Sequence, residues 1–165
     1  MKVLIIGGAG YVGSVLTEEL LERGYSVKIL ERFYFGASGL SGVRDRVEIV
    51  RGDMRTMPAS VLADVGAVVN LGGLSNDPTA EYNPKANFEM NTMATKLSAE
   101  LCKAAGIKRY VMASSCSVYD VGVKDEEKAG VLRPLDSSLA SVKLPPQRSW
   151  KEALVDALRD EGYPL

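Results

Sequence analysis

The sequence predicts a doubly wound α/β fold, in which a parallel β-sheet carries helices on both faces. Apolar runs of strand length alternate along the chain with segments of helical period, and this alternation is typical of parallel sheets. The chain opens with an apolar run, residues 3–6, that passes through a glycine-rich loop into a helical pattern over residues 12–21. Right-handed crossovers between the strands favour a sheet of about five strands in the order 3-2-1-4-5.

Each predicted strand is a short run of aliphatic and β-branched residues followed by a glycine or a polar turn. The five predicted strands are residues 3–6, 26–30, 47–50, 67–71 and 110–113. Strand four is apolar apart from Asn70, as expected for a strand that is buried on both faces.

The predicted helices connect these strands. They cover residues 12–21, a short segment after Pro58, residues 88–105 with Gly106 at the end, and residues 149–159. The face of the first helix that we expect against the sheet consists of Val12, Val15, Leu16 and Leu20. The corresponding stripe of the long helix consists of Met90, Met93 or Ala94, Leu97, Leu101 and Ala104.

Composition excludes several classes of function. The 165 residues are enough for one domain with a core, and the net charge of −1 offers no basic face for nucleic acid. The chain has no histidine, which excludes a Ser–His relay and a His-ligated metal site. The spacing of Cys102 and Cys116 fits neither a zinc site nor a disulfide framework, so a reducing cytoplasm is the simplest setting. No stretch is long enough to span a membrane.

The glycine-rich loop predicts a dinucleotide site. Gly7, Gly10 and Gly13 lie between the first strand and the first helix, where they permit a tight turn, a close approach by a pyrophosphate and close packing of helix on strand. The amides at the start of the helix, including those of Tyr11 and Val12, would face the phosphates. A strand–helix turn that binds no ligand is the alternative interpretation.

An acidic residue follows the loop at the distance that a dinucleotide site requires. Glu31 ends the second strand eighteen residues after Gly13, where its carboxylate would accept hydrogen bonds from the adenosine ribose hydroxyls. A carboxylate there favours NAD, because it would repel the 2′-phosphate of NADP. Arg32 could reach such a phosphate, which keeps NADP as the alternative cofactor.

Five segments together resemble the extended short-chain dehydrogenase/reductase family, specifically its NAD-dependent nucleotide-sugar epimerases and dehydratases. They are residues 3–13, 52–55, 70–73, 91–95 and 114–119. The resemblance is close to about residue 120 and poor beyond it. It implies a Rossmann-like fold, a single NAD(P)-binding domain over residues 1–165 without a substrate domain, and hydride transfer at a sugar carbon.

The resemblance also implies roles for individual residues. Asp53 would bind the adenine amino group, the turn at Leu71 to Gly73 would lie along the cofactor, Asn91 would order the active site, and Ser115 would hydrogen-bond the sugar hydroxyl. The cofactor-binding candidates are Gly7, Gly10, Tyr11, Val12, Gly13, Glu31, Arg32, Asp53, Met54, Leu71, Gly72, Gly73 and Asn91. The catalytic candidates are Ser115 and Lys143.

The chain departs from the family at the catalytic tyrosine. In the family a Tyr and a Lys four residues apart carry the proton transfer and hold the nicotinamide ribose, but no tyrosine of this chain has a lysine four residues later. Aligned from Tyr119, Lys143 takes the position of the lysine and Leu139 takes that of the tyrosine. The family's sixth strand and sugar-binding region would lie beyond Leu165, so we expect a chain that is catalytically incomplete.

Three functions remain open from the sequence. The chain is an NAD-binding module of the epimerase/dehydratase type, a non-catalytic NAD(P)-binding or regulatory protein, or an inactive relic. The expected partners are a dinucleotide and a nucleotide-sugar. A homo-oligomer formed through the open edge of the sheet or through helix faces is also left open.

Overall fold

The computed structural model describes residues 1–75 and 81–114, and Met1–Ser114 form one compact unit. Its centre is a parallel sheet of five strands in the order β3-β2-β1-β4-β5. The strands are β1 Lys2–Ile6, β2 Ser26–Glu31, β3 Val47–Arg51, β4 Val65–Asn70 and β5 Tyr110–Met112. The predicted fold class and strand order are thereby confirmed. A single domain over residues 1–165 stays a prediction, because residues 115–165 lie outside the described part.

The described helices lie between the strands. They are α1 Tyr11–Glu22, α2 Pro84–Phe88 and α3 Ala94–Ala104, and a π-helical turn, Glu89–Met93, joins α2 to α3. Gly106, at φ +74°, follows the end of α3 in the left-handed conformation that commonly ends a helix. The segment after Pro58 is a short 3₁₀ turn, Ala59–Leu62. Within the described residues, no helix combines the length and the apolar character needed to cross a membrane.

The core has two parts, which the alternation of side chains along β1 assigns to the two faces of the sheet. Leu4 and Ile6 belong to the part that includes Val68, Met90 and residues of α3. Ile5 belongs to the other part, against which α1 packs. Strands covered on both faces are the expected arrangement for a parallel sheet.

The predicted inner face of α1 is partly wrong. Val12 and Val15 are 62% and 59% exposed, whereas Gly13 and Thr17 are the buried residues of the helix. Leu16 and Leu20 are half-buried against the core, as predicted. The cause is the contact between Gly13 and the glycine-rich loop, which turns Gly13 and the residue one turn later toward the sheet.

The predicted inner stripe of the long helix also changes. Met93 and Ala104 are exposed, whereas Met90, Ala94, Ser98 and Cys102 are buried at intervals of four residues. The π-helical turn shifts the phase of the helix relative to the pattern that we predicted. Ser98 can be buried because its hydroxyl is hydrogen-bonded to the Thr95 carbonyl and to Tyr110.

One lysine lies inside the sheet layer. Lys28, in the middle of β2, is 4% exposed, and its ammonium group donates to the carbonyls of Val61 and Ala63 at 3.3 and 3.2 Å. Glu48 on the adjacent β3 lies 3.0 Å from the same ammonium group. Three acceptors therefore replace the water that the buried charge has lost.

Glu48 also accepts a hydrogen bond of 2.9 Å from Lys2. The hydrogen bond from Lys2, and then that from Lys28, hold the pKa of Glu48 below its ordinary value of 4.5. Because the pKa is lower in the folded state than in the unfolded state, this interaction stabilises the fold above pH 4.5. The stabilisation is lost as the pH falls through the folded-state pKa.

We expect Glu48→Gln to lower the free energy of unfolding at neutral pH and to flatten its decline between about pH 5 and pH 3. Urea denaturation across this pH range measures the effect. Glu100→Gln is the matched control, because the Glu100 carboxylate lies 3.8 Å from Lys96 on the exposed surface of α3. Parallel pH profiles for wild type and Glu48→Gln would contradict the expectation.

Candidate functional site

The candidate site lies where four strands end. Backbone hydrogen bonds of 2.9 Å connect the segments that leave the strands: the Gly7 amide donates to Leu30, the Leu71 amide to Ile6 and the Gly52 amide to Glu31. Carboxyl ends of parallel strands, on either side of the point where the strand order reverses, are where open α/β sheets bind ligands. The structure thus brings together the segments that contain Gly7, Glu31, Asp53 and Gly72.

The glycine-rich loop is closed by direct backbone contacts. Gly7 has φ +83°, and a Cβ atom there would lie 3.0 Å from the Gly72 nitrogen. A Cβ atom at Gly13 would lie 2.3 Å from the Gly7 carbonyl oxygen, a distance that no side chain tolerates. These two glycines therefore fit the turn and packing roles that the sequence predicts.

Gly10 differs from the other two glycines. It caps α1 with an ordinary φ of −71°, and a Cβ atom there would meet only the Gly7 carbonyl, at 3.3 Å. The first turn of α1 has neither a side-chain cap nor an acidic residue. Tyr11 and Val12, which begin the helix, are exposed. Uncapped amides at the start of a helix are groups that an anion can bind.

Glu31 joins the end of β2 to the glycine-rich loop. One carboxylate oxygen accepts from the amides of Arg32 and Phe33 at 2.8 and 3.1 Å, and the other accepts from the Ala9 amide at 3.3 Å. Phe33 has the left-handed φ of +59°, which its hydrogen bond to Glu31 helps to maintain. The carboxylate therefore has a fixed position, and its second oxygen accepts only one hydrogen bond from the described residues.

Asp53 follows β3 and holds two arginines. Its carboxylate accepts from the backbone amide of Arg55 at 2.9 Å and from the Arg55 guanidinium at 2.6–3.1 Å. The Arg32 guanidinium lies 3.4 Å away and 5.8 Å from the centre of the Tyr34 ring. The hydrogen bond from Arg55 is the main reason why the pKa of Asp53 is held below its ordinary value.

Arg55 lies in this site, although it is not among the residues predicted from the sequence. Its guanidinium also lies 3.7 Å from the Glu89 carboxylate, so it links the turn after β3 to the π-helical turn. The available signal is an Asp at the start of a turn with an Arg two residues later, a spacing that lets the carboxylate bind both the backbone and the side chain.

The turn after β4 is closely packed against the side chains of Met54 and Asn91. A Cβ atom at Gly72 would lie 2.7 Å from the Met54 sulfur, and one at Gly73 would lie 2.8 Å from the Asn91 amide oxygen. Met54, which is buried, thus forms the floor of this turn.

Asn91 lies in the π-helical turn and binds the backbone of Leu74 twice. Its amide oxygen accepts from the Leu74 nitrogen at 2.8 Å, and its amide nitrogen donates to the Leu74 carbonyl at 2.9 Å. Such turns commonly mark functional sites, because the extra residue changes the direction of a side chain. Here the result is a helix that holds the turn after β4 in place.

The catalytic candidates Ser115 and Lys143, and Leu139 with them, lie outside the described residues. Within the described residues there is no cluster of three or more potential metal ligands of the His, Cys, Asp or Glu type. The described part of the site combines uncapped amides at the start of α1 with the fixed carboxylates of Glu31 and Asp53.

Comparison with known proteins agrees with this geometry. A UDP-glucose 4-epimerase from Klebsiella pneumoniae is 30% identical over 128 residues, which cover 72% of this chain and 92% of that relative. A UDP-glucose 4-epimerase from Rhizobium leguminosarum bv. trifolii is 28% identical over 166 residues, which cover 96% of this chain and 46% of the relative.

A solved structure shows the same fold. The crystal structure of UDP-glucose-4-epimerase from Stenotrophomonas maltophila with bound NAD and formylated UDP-arabinopyranose matches with a TM-score of 0.68 and 27% identity. The match covers 73% of this chain and 38% of that one. The matched residues therefore cover less than half of the Rhizobium and Stenotrophomonas proteins, and this chain is about half as long as they are.

The family model agrees with the individual relatives. It matches residues 3–139, a range that includes the described sheet except for Lys2, the first residue of β1. The chain belongs to the NAD dependent epimerase/dehydratase family.

Proposed function

We propose that this chain binds NAD in the cleft at the carboxyl ends of β1 to β4 and is an epimerase/dehydratase-type module for nucleotide sugars. The observation that carries the proposal is the glycine-rich loop, in which Gly10 places no side chain beside the uncapped start of α1. The Stenotrophomonas relative, with NAD and a UDP-sugar derivative bound, supports this assignment.

The pyrophosphate is assigned to the start of α1. Its negative charges would lie against the amides of Tyr11, Val12 and Gly13. The first amides of a helix have no carbonyl acceptor within the helix, because no helical turn precedes them. Tight contact between Gly13 and Gly7 keeps these amides close to the sheet. The site thus supplies positive potential without any lysine or arginine.

The adenosine is assigned to Glu31, Asp53 and Met54. The second oxygen of Glu31 has room for a ribose hydroxyl beside its bond to the Ala9 amide. Asp53 already binds Arg55, so the adenine amino group would share the carboxylate with that guanidinium. The turn Leu71–Gly73, held by Asn91, is assigned to the part of the cofactor beyond the pyrophosphate.

NAD is favoured over NADP by the charges around the ribose. Glu31 would repel a 2′-phosphate, and Arg32, the residue that could bind one, lies between the Asp53 carboxylate and the Tyr34 ring. To reach a 2′-phosphate, Arg32 would have to give up both contacts. We therefore assign Arg32 to the wall of the adenosine site.

We do not expect this chain alone to catalyse the reaction. Lys143 would hold the nicotinamide ribose and Ser115 a sugar hydroxyl, but Leu139 has no proton to exchange at the position that the family resemblance gives to tyrosine. Bound NAD would supply hydride transfer at a sugar carbon. Leu139 favours a second function, namely NAD binding without turnover.

Calorimetric titration of the 165-residue chain with both cofactors tests the assignment of NAD. We expect micromolar affinity for NAD and at least about tenfold weaker binding of NADP, because Glu31 repels the extra phosphate. Glu31→Gln should reduce this discrimination, whereas Glu18→Gln, on the exposed surface of α1, should not. Absence of heat with both cofactors would leave only the inactive-relic interpretation.

Substitution of two glycines separates binding from folding. Gly10→Val is expected to abolish NAD binding, because its side chain would occupy the place assigned to the pyrophosphate, and to destabilise the fold less than Gly13→Ala, because a Cβ atom at Gly10 lies 3.3 Å from the Gly7 carbonyl rather than 2.3 Å. Gly13→Ala is expected to destabilise the fold by about 1–3 kcal/mol, because its Cβ meets the Gly7 carbonyl.

Titration and urea denaturation of the same samples measure both quantities. Gly42→Val is the control, since a Cβ atom there meets nothing nearer than a Glu18 oxygen at 3.9 Å. Retention of wild-type NAD affinity by Gly10→Val would contradict the placement of the pyrophosphate.

Turnover is tested with UDP-glucose and other UDP-sugars in the presence of NAD. The wild-type chain is expected to produce no epimer. A chimera that joins the chain to the C-terminal half of the Rhizobium relative should gain about 10²–10⁴-fold in rate when Leu139→Tyr supplies a proton donor and acceptor. The same chimera with Leu139 retained is the control. Equal rates for the two chimeras would contradict the assignment of position 139 to the catalytic tyrosine.

A further inference from the structure

A buried series of hydrogen bonds joins α3, β5 and the end of β4. The hydroxyl of Ser98, a residue with no exposed surface, lies 2.7 Å from the phenol oxygen of Tyr110. The side-chain nitrogen of Asn70 donates to the same phenol oxygen at 3.0 Å, and Asn70 is 2% exposed. The side-chain oxygen of Asn70 accepts from the Gly72 amide at 3.0 Å.

The donors in this series have one consistent direction. Ser98 donates its only proton to the Thr95 carbonyl at 2.8 Å, so it must accept from the Tyr110 hydroxyl. Tyr110 then has only its oxygen lone pairs to offer to Asn70, which must turn its nitrogen toward the phenol. That orientation in turn places the Asn70 oxygen opposite the Gly72 amide. The Gly72 amide, which can only donate, and the Ser98–Tyr110 pair therefore require the same orientation of the Asn70 amide.

Gly72 is the point at which the series reaches the candidate cleft. Its nitrogen lies 3.0 Å from the position of a Cβ atom on Gly7, so the turn after β4 and the glycine-rich loop are in contact. Met54 and Ile6 approach it from below. A displacement of Gly72 would change the wall of the cleft and the packing of the loop together.

We propose that Tyr110, Asn70 and Ser98 are positioning residues for the cofactor cleft, which hold the Gly72 turn against the glycine-rich loop. The effect on NAD binding rests on the proposed function. The effect on the position of Gly72 does not depend on any ligand. None of the three side chains touches the proposed ligand. They act through the backbone of Gly72.

Two substitutions separate the hydrogen bonds of the series from its packing. Tyr110→Phe keeps the ring and removes one hydroxyl, which leaves the Asn70 nitrogen without its acceptor in a buried site. Ser98→Ala removes the acceptor of the Tyr110 proton. The phenol then lacks a partner that fixes its hydroxyl direction, which weakens its hold on the Asn70 amide.

The experiment measures hydrogen exchange of the Gly72 amide by NMR on the full chain, without and with NAD. Tyr110→Phe and Ser98→Ala are expected to speed Gly72 exchange about tenfold and to weaken NAD binding about fivefold. Cys102→Ala is the matched control. Cys102 is buried one turn after Ser98 on the same face of α3 and makes no side-chain hydrogen bond among the described residues.

The outcomes separate this inference from the proposed function. The exchange rate of the Gly72 amide is compared between Tyr110→Phe and Cys102→Ala after correction for global stability. If it rises no more in Tyr110→Phe than in Cys102→Ala, the positioning role is wrong. A loosened Gly72 with unchanged NAD affinity would overturn the link to the cleft. If the wild type fails to bind NAD, the proposed function fails, while Gly72 exchange still decides whether the series holds the turn.

Discussion

The cleft depends on backbone atoms that approach each other without side chains between them. Gly13 packs on the Gly7 carbonyl, and Gly7 packs on the Gly72 nitrogen, at distances where a Cβ atom would be 2.3 Å and 3.0 Å from its neighbour. These contacts fix how α1 leaves β1 and how the turn after β4 lies beside the loop. The orientation of α1, with Thr17 buried and Val12 exposed, is a consequence of the same contacts.

Electrostatics around the cleft follow a common pattern, in which acidic groups are fixed by donors before any ligand arrives. Glu31 is held by three backbone amides, and Asp53 by the backbone and guanidinium of Arg55. A carboxylate with a fixed position loses little conformational freedom on binding. At the start of α1, by contrast, the amides have no side-chain cap among the described residues, an arrangement that suits an anion.

Most of the fold could be predicted from local sequence patterns, because apolar runs and glycine positions report directly on strands and turns. The strand order and the end of α3 before Gly106 are examples. The faces of the helices were less predictable. Val15 and Met93 are apolar but exposed, and Ser98 is polar but buried, because contacts with distant residues and a π-helical turn decide these orientations. The pairing of Asp53 with Arg55 likewise depends on geometry. The roles of Ser115 and Lys143 lie outside the described residues and stay predictions.

Lys28 helps to determine the register in which β2 pairs with its neighbouring strands. It is a charged residue at the centre of a strand whose neighbours Val27, Ile29 and Leu30 are buried. A shift of β2 by one residue would turn every side chain to the opposite face. Lys28 would then lose Glu48 and the two carbonyls and place an unpaired ammonium group in the other half of the core. Purely aliphatic strands that are buried on both faces tolerate such slippage more easily. A single lysine thus penalises misaligned pairings that hydrophobicity alone would accept.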